Sequence, residues 1–415
     1  MAFASAYAQR KGLTPLINTP PATTTALIAV IPCYNEPDII YTLESLLACE
    51  KPPCKSEILV VINHAENSSA EIKKQNNQTY QQLIKWSKEF SNNDIFFHIL
   101  YFPDINKQFA GAGYARRLGM DEAALRFSQI DKPKGIILSM DADTLYSKNY
   151  LLQIFQHYQQ HPETNGTSNH FEHLYNDQTD KAQLFAVMRY ELHLRYYIEG
   201  LRLTGFPAAF HTIGSAFTVT ANAYCKAGGM NIRKAGEDFY FMNKIFKQGN
   251  FFELNNVTAF PSSRCSNRVP FGTGKAVEQH LKNDFMTYHP GGFTRLKTVF
   301  DEIPSMYNKE LFLSRIDHAT ANFMQQQNAI EKIAEIRANT ASAKAFKKRF
   351  FAWFDGLMII HYLNDLHRNT LNKIKIEDAS LELLMRLKKN ITGTPDTLYL
   401  LKLYRDIQSA SKYRL

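Results

Sequence analysis

Cysteine, long apolar runs and low-complexity tracts are what this sequence has least of. Five cysteines (Cys33, Cys49, Cys54, Cys225 and Cys265) are scattered over 415 residues without a CxxC pair. Neither a disulfide framework nor a zinc site is expected, and reduced buried thiols are the plain reading. No run of about 18 uncharged apolar residues occurs, the length a membrane-spanning helix needs. The nearest, Phe350 to Leu363, is interrupted by Asp355. The opening MAFASAYAQRKGLTPL has no continuous apolar stretch of the kind a secretory signal requires. The expected location is therefore cytoplasmic, with peripheral contact at the inner face of a membrane left open. A Walker phosphate loop, GxxxxGK[ST], is missing.

Hydrophobic residues make up 45% of the chain and aromatics 13%, enough for a packed core. The formal charge of +9 calls for an anionic partner such as a nucleotide diphosphate, a phosphorylated lipid or a membrane surface. A nucleic acid is not expected, because no basic stripe is interleaved with aromatics. Ala26 to Pro32, Glu57 to Ile62, Ile95 to Tyr101 and Gly135 to Met140 are short apolar runs that predict buried strands. Helical spacing predicts helices after Asn35, from about Ser69 to Glu89, and from Gly111 to Phe127. This alternation predicts an α/β sandwich around a mainly parallel sheet, with ligands beyond the carboxyl ends of the strands. From Ser305 onward glycine nearly vanishes and the spacing turns helical. A catalytic domain over 24–300 and a helical extension over 301–415 are expected.

Four constellations carry chemistry. Asp141-Ala142-Asp143 follows a buried strand, where alternate residues of an extended chain point the same way. Two carboxylates that close are costly unless a cation lies between them, and hard oxygens suit Mg²⁺ or Mn²⁺ bridging to phosphates. Glu237 and Asp238 open a helix, where the dipole favours acids. One of them can serve as a general base for an acceptor hydroxyl. Arg264, Arg268 and Lys275 lie in one stretch with Ser266, Gly272, Thr273 and Gly274, a composition suited to phosphate. Gly111-Ala-Gly113 opens a helix bearing Arg116 and Arg117, either of which can reach a phosphate. The third metal ligand is open, with His280 and His289 as candidates.

Taken in order, these elements resemble glycosyltransferase family 2 and its GT-A fold. Pro32-Cys33-Tyr34-Asn35-Glu36 resembles the opening motif whose loop touches the nucleotide. Gly113-Tyr-Ala-Arg-Arg-Leu-Gly119 resembles the family's ARN-x-G helix, and Asp141-Ala-Asp143 its DxD. Gly214-Ser215, Gly228-Gly229-Met230 and Gly236-Glu237-Asp238 resemble its later glycine and acid series. The resemblance implies an inverting, metal-assisted transferase using a nucleoside-diphosphate sugar and a glycan or lipid-linked acceptor, in surface polysaccharide or glycolipid synthesis. It implies Asp141 and Asp143 at the metal and Asp238 as base. Pro32, Tyr34, Asn35 and Glu36 are implied at the nucleoside, with Gly214 and Ser215 beside the donor. Where the family often has an Asp at the end of the second strand, this chain has Asn63, whose amide can still pair with a base edge. A non-catalytic relative on the same scaffold and a nucleotidyltransferase are the alternatives. The latter should carry a Gly-rich basic loop after the first strand, which Pro32 to Glu36 is not.

Overall fold

The computed structural model describes residues 2–174, 180–232, 236–264, 284–310, 312–391 and 395–410. The chain divides into two compact units, neither of them a single segment. One comprises described residues within 1–183, 211–278 and 408–415, and the other those within 184–210 and 279–407.

The first unit opens with α1 (Ser5–Lys11), β1 (Thr25–Cys33), α2 (Ile39–Leu47), β2 (Lys55–Ala65), α3 (Ala70–Phe90), β3 (Ile95–Ile105), α4 (Ala112–Gln129) and β4 (Ile136–Ser139). The expected first four strands and the helices between them are all found. Every β1 residue but Ala26 is buried, as expected of a strand covered on both faces. Helix α4 presses onto this strand at Gly119. A Cβ there would come within 2.4 Å of Val30 Cγ1, so only glycine admits the approach.

Next come β5 (Thr144–Tyr146), α5 (Tyr150–Gln160), β6 (Gly166–Phe171), α6 (Lys181–Thr204), β7 (Phe217–Thr220), α7 (Ala221–Lys226), α8 (Glu237–Phe246) and β8 (Phe251–Pro261). The eight strands form one sheet in the order β3-β2-β1-β4-β7-β6-β8-β5. Strands β1 to β4 are mutually parallel, β7 is antiparallel to β4 and β6, β8 is parallel to β6, and β5 is antiparallel to β8. This topology fixes the site. The carboxyl ends of β1, β2, β4 and β8 face one edge, and the amino ends of β5 and β7 return to it. Ser139 is registered against Phe217, and Thr144 against Pro261.

The second unit is helical. It takes α6 from Leu184 onward, then α9 (Pro290–Asp301), α10 (Ile303–Tyr307), α11 (His318–Gln326), α12 (Ala329–Ala338), α13 (Ala343–Trp353), α14 (Gly356–Asn369), α15 (Ile376–Arg386) and α16 (Thr397–Ser409) as far as Ile407. A short pairing joins β9 (Met286–Thr287) to β10 (Ile374–Lys375). Among the described residues beyond 301 the secondary structure is helical apart from β10, and residues 184–210 group with 279–407. Helix α6 groups with the later helices because its polar side chains are committed to them. Arg189 meets Glu377 at 2.6 Å, and the fully buried Glu191 accepts from Arg405 at 2.8 and 2.7 Å. Among the described residues no helix is long and apolar enough to cross a membrane.

Candidate active site

Asp141 and Asp143 follow β4 and precede β5, so they stand at the convergent edge of the sheet. The turn that carries them is held from three sides. Thr42 of α2 donates to the Ala142 carbonyl at 3.0 Å, the Asp141 N–H donates to the Tyr146 hydroxyl at 3.3 Å, and that hydroxyl donates to the Ser215 carbonyl at 3.3 Å.

Arg116 is the hub beneath. Only 3% of it is exposed. Its Nη1 donates to Ser139 Oγ at 2.6 Å, to the Met140 carbonyl at 3.1 Å and to the Gly214 carbonyl at 3.0 Å. Its Nη2 donates to Asp141 Oδ1 at 2.7 Å, and Nε lies 3.5 Å from Glu237 Oε1. Burial opposes the guanidinium's charge, but Asp141 and then Glu237 outweigh it and hold the group protonated beyond its ordinary range. Gly214 makes room for this. A Cβ on it would stand 2.9 Å from Arg116 Nη2 and 3.3 Å from Asp238 Oδ2. Gly214 therefore marks where the arginine and the second acid of the Glu237-Asp238 pair approach each other.

Asp238 is half-buried in the first turn of α8. Burial, then the charge of Glu237, push its pKa from 3.8 up to about 7, against the pull of Arg116 and of the Phe239 N–H that donates to Oδ1 at 2.7 Å. A carboxyl poised near neutrality can take up a proton in the working range.

On the other side, Arg264 lies just past β8 and meets Glu36. Its Nη2 is 3.4 Å from Asp143 Oδ2 and its Nη1 is 3.6 Å from Asp38 Oδ2. Glu36 is fully buried and accepts from the Asp38 N–H at 3.1 Å. Pro32 is buried at the end of β1, and Tyr34 and Asn35 form the half-buried turn beyond it, with Asn35 in the left-handed region (φ 50°). Asn63 is fully buried, and its amide is committed both ways to Gly111, donating at 3.2 Å and accepting at 3.0 Å. In this arrangement it fixes the start of α4 rather than presenting an open hydrogen-bonding edge.

Not every expected residue joins the cluster. Arg117 faces Asp121 at 3.3 Å, and Asp121 also accepts from the Tyr7 and Tyr224 hydroxyls at 2.6 and 2.7 Å, so this arginine belongs to a polar knot that anchors α1. His289 belongs to the second unit, where its Nδ1 caps α9 by accepting from the Gly291 N–H at 2.9 Å. Arg268, Lys275 and His280 lie outside the described residues.

Sequence reasoning missed Asn76 and Thr79. Asn76 is fully buried on α3, accepts from the Asn35 N–H at 2.8 Å and donates to the Asn63 carbonyl at 3.1 Å. Thr79 donates to the Glu36 carbonyl at 3.2 Å. Their signal was two small polar residues in helical register with the buried Leu83 and Trp86.

Residues 136–283 match the model of the glycosyl transferase family group 2. The family resemblance read in the sequence therefore holds over a segment containing Asp141, Asp143, Gly214, Ser215, Glu237, Asp238 and Arg264. Among curated proteins the sequence finds no match. Among solved structures it is distantly similar to S. aureus TarS 1-349 in complex with UDP-GlcNAc, at 13% identity over 89% of this chain and 93% of that one, with a TM-score of 0.42. It is also distantly similar to the mannosyltransferase PcManGT from Pyrobaculum calidifontis in complex with GDP-Man and Mn2+, at 13% identity over 99% of this chain and 93% of that one, with a TM-score of 0.39.

Proposed function

We propose that this chain transfers a sugar from a nucleoside-diphosphate sugar to an acceptor hydroxyl with inversion, and that Asp238 is the general base. The observation that carries the reading is Asp238 itself. It is a carboxyl raised to about 7 by burial and Glu237, set beside the Arg116–Asp141 pair at the edge where the sheet gathers its loops. In a single displacement the acceptor oxygen forms its bond to the anomeric carbon on the face opposite the departing diphosphate. The old carbon–oxygen bond breaks with its electron pair going to the diphosphate, and the acceptor's proton passes to Asp238.

The residues fit a divalent cation of a particular kind. Among the described residues no three of His, Cys, Asp and Glu gather as a ligand set. Asp141 and Asp143 offer hard oxygens, and Mg²⁺ or Mn²⁺ is often held by one or two carboxylates with substrate phosphates completing the shell. The pair thus suits an ion that arrives with a diphosphate, and that ion, when bound, would offset the leaving group's charge. Arg116 orients Asp141. Glu36 and the Tyr34-Asn35 turn, braced by Asn76 and Thr79, form the floor for the nucleoside, and Arg264 stands ready for the diphosphate. A glycan or lipid-linked acceptor, as in surface polysaccharide or glycolipid synthesis, accords with the +9 charge.

The test is incubation with a panel of UDP-, GDP- and dTDP-sugars and Mn²⁺. Release of free nucleoside diphosphate from one donor, lost in Asp143→Ala, is the expected result. No release and no binding of any donor would refute the reading.

A further inference from the structure

We infer that Arg264 and a divalent cation compete for the same carboxylate, Asp143, and that a bound diphosphate resolves the contest by giving Arg264 another anion. The inference rests on the proposed nucleotide-sugar reading of the site and assigns to one arginine the coupling of metal to nucleotide.

Arg264 is a bridge between two loops. Its Nη2 meets the fully buried Glu36 and approaches Asp143 Oδ2 at 3.4 Å, while Nη1 approaches Asp38 at 3.6 Å. The meeting follows from the backbone, because Pro261 at the end of β8 is registered against Thr144, the residue after Asp143. A guanidinium is a planar fork that accepts carboxylate or phosphate with equal geometric ease. A dication placed on Asp143 would share its oxygens with a cation a few ångströms away, and like charges at that range repel strongly in a partly buried site. Asp141 differs, because its arginine is only 3% exposed, whereas Arg264 is a third exposed. Arg264 is therefore the arginine that a diphosphate arriving from solvent can reach. Metal and nucleotide then strengthen each other's binding by equal factors, as linkage requires.

The experiment measures Mn²⁺ affinity by electron paramagnetic resonance and nucleotide affinity by calorimetry. The proteins are wild type, Arg264→Ala and Arg264→Lys, with UDP or GDP chosen by which one binds wild type. In Arg264→Ala, Mn²⁺ alone should bind roughly tenfold tighter while the nucleotide binds roughly tenfold weaker, the scale of one charged hydrogen bond. The mutual strengthening of the two ligands should shrink, and Arg264→Lys should fall between. Removing the arginine leaves Glu36 buried with its charge, so Arg264→Met/Glu36→Gln, which removes both charges, decides the matter if the single variant unfolds. It should also bind Mn²⁺ more tightly than wild type. Weaker or unchanged Mn²⁺ binding in these variants, with wild type binding both ligands, overturns the competition alone. A wild-type protein that binds neither Mn²⁺ nor nucleotide overturns the reading of the site together with it.

Discussion

Acids and arginines alternate through the site: Glu36, Arg264 and Asp143 on one side, and Asp141, Arg116 and Glu237 on the other, with Asp238 at the end. Asp238 is the member whose protonation changes near neutral pH. Its folded pKa of about 7 lies above the ordinary 3.8. The stability it contributes is therefore fully present below pH 3.8 and is lost as pH rises through about 7. Asp238→Asn removes that dependence. Its melting temperature should exceed that of wild type by a margin that grows from pH 4 to 7 and levels off above, as differential scanning fluorimetry across pH would show. An Asn variant that is less stable at pH 8 than at pH 5, relative to wild type, would contradict the assignment. Gly214→Ala tests the fit between Arg116 and Asp238. The added methyl must displace one of them, and small misplacements of catalytic groups cost up to about a hundredfold in rate. We expect kcat to fall at least tenfold while the melting temperature moves little, measured by steady-state kinetics beside thermal unfolding.

At the scale of elements, the half of the sheet built from β1 to β4 was legible because each strand contains a mostly apolar run. The half built from β5 to β8 was not. Strand β6 reads Gly-Thr-Ser-Asn-His-Phe, yet all six residues are buried. Its polar groups are satisfied internally, Thr167 by Thr218 at 2.6 Å, Asn169 by Tyr150 at 2.9 Å and Ser168 by the His211 carbonyl at 2.6 Å. Hydrophobic periodicity cannot reveal a strand whose burial is made affordable by hydrogen bonds. The same blindness hid Asn76 and Thr79 on α3. The DxD and Glu-Asp acids were found from their places at a strand end and a helix start, but their arginine partners were legible only as candidates, and Arg117 turned to a different cluster. Asn76→Ala would leave the Asn35 N–H and the Asn63 carbonyl without their bonds to α3, at a cost of about 1–3 kcal/mol if both stay buried. The Tyr34-Asn35 turn should loosen. The donor KM should rise severalfold with kcat nearly unchanged, and amide exchange around Asn35 should accelerate. Unaltered KM and exchange would mean that the turn does not depend on α3.

For the whole molecule, the interleaving of the two units sets where the chain can be cut. Composition changes near residue 300, but composition does not report that 184–210 groups with 279–407. A chain ending at 300 loses Arg405, which binds both oxygens of a buried glutamate on α6. Arg195 still meets this glutamate at 2.8 Å, so the loss is that of two charge-assisted hydrogen bonds, about 1.5–3 kcal/mol each. The truncated chain should aggregate or lack a cooperative thermal transition by circular dichroism and size exclusion. A monomer with a sharp transition would show that the first unit folds without the later helices.

Cleavage of a nucleotide sugar with Asp238 as the base is tested by the pH dependence of nucleoside diphosphate release from the preferred donor, with acceptor or water, in wild type and Asp238→Asn. We expect a wild-type rate that climbs with pH and levels off above about 7, and an Asn variant that binds donor with similar affinity but turns it over about 10²–10⁴-fold more slowly with no such rise. Equal rates in the two proteins, or a wild-type rate flat from pH 5 to 9, would contradict it.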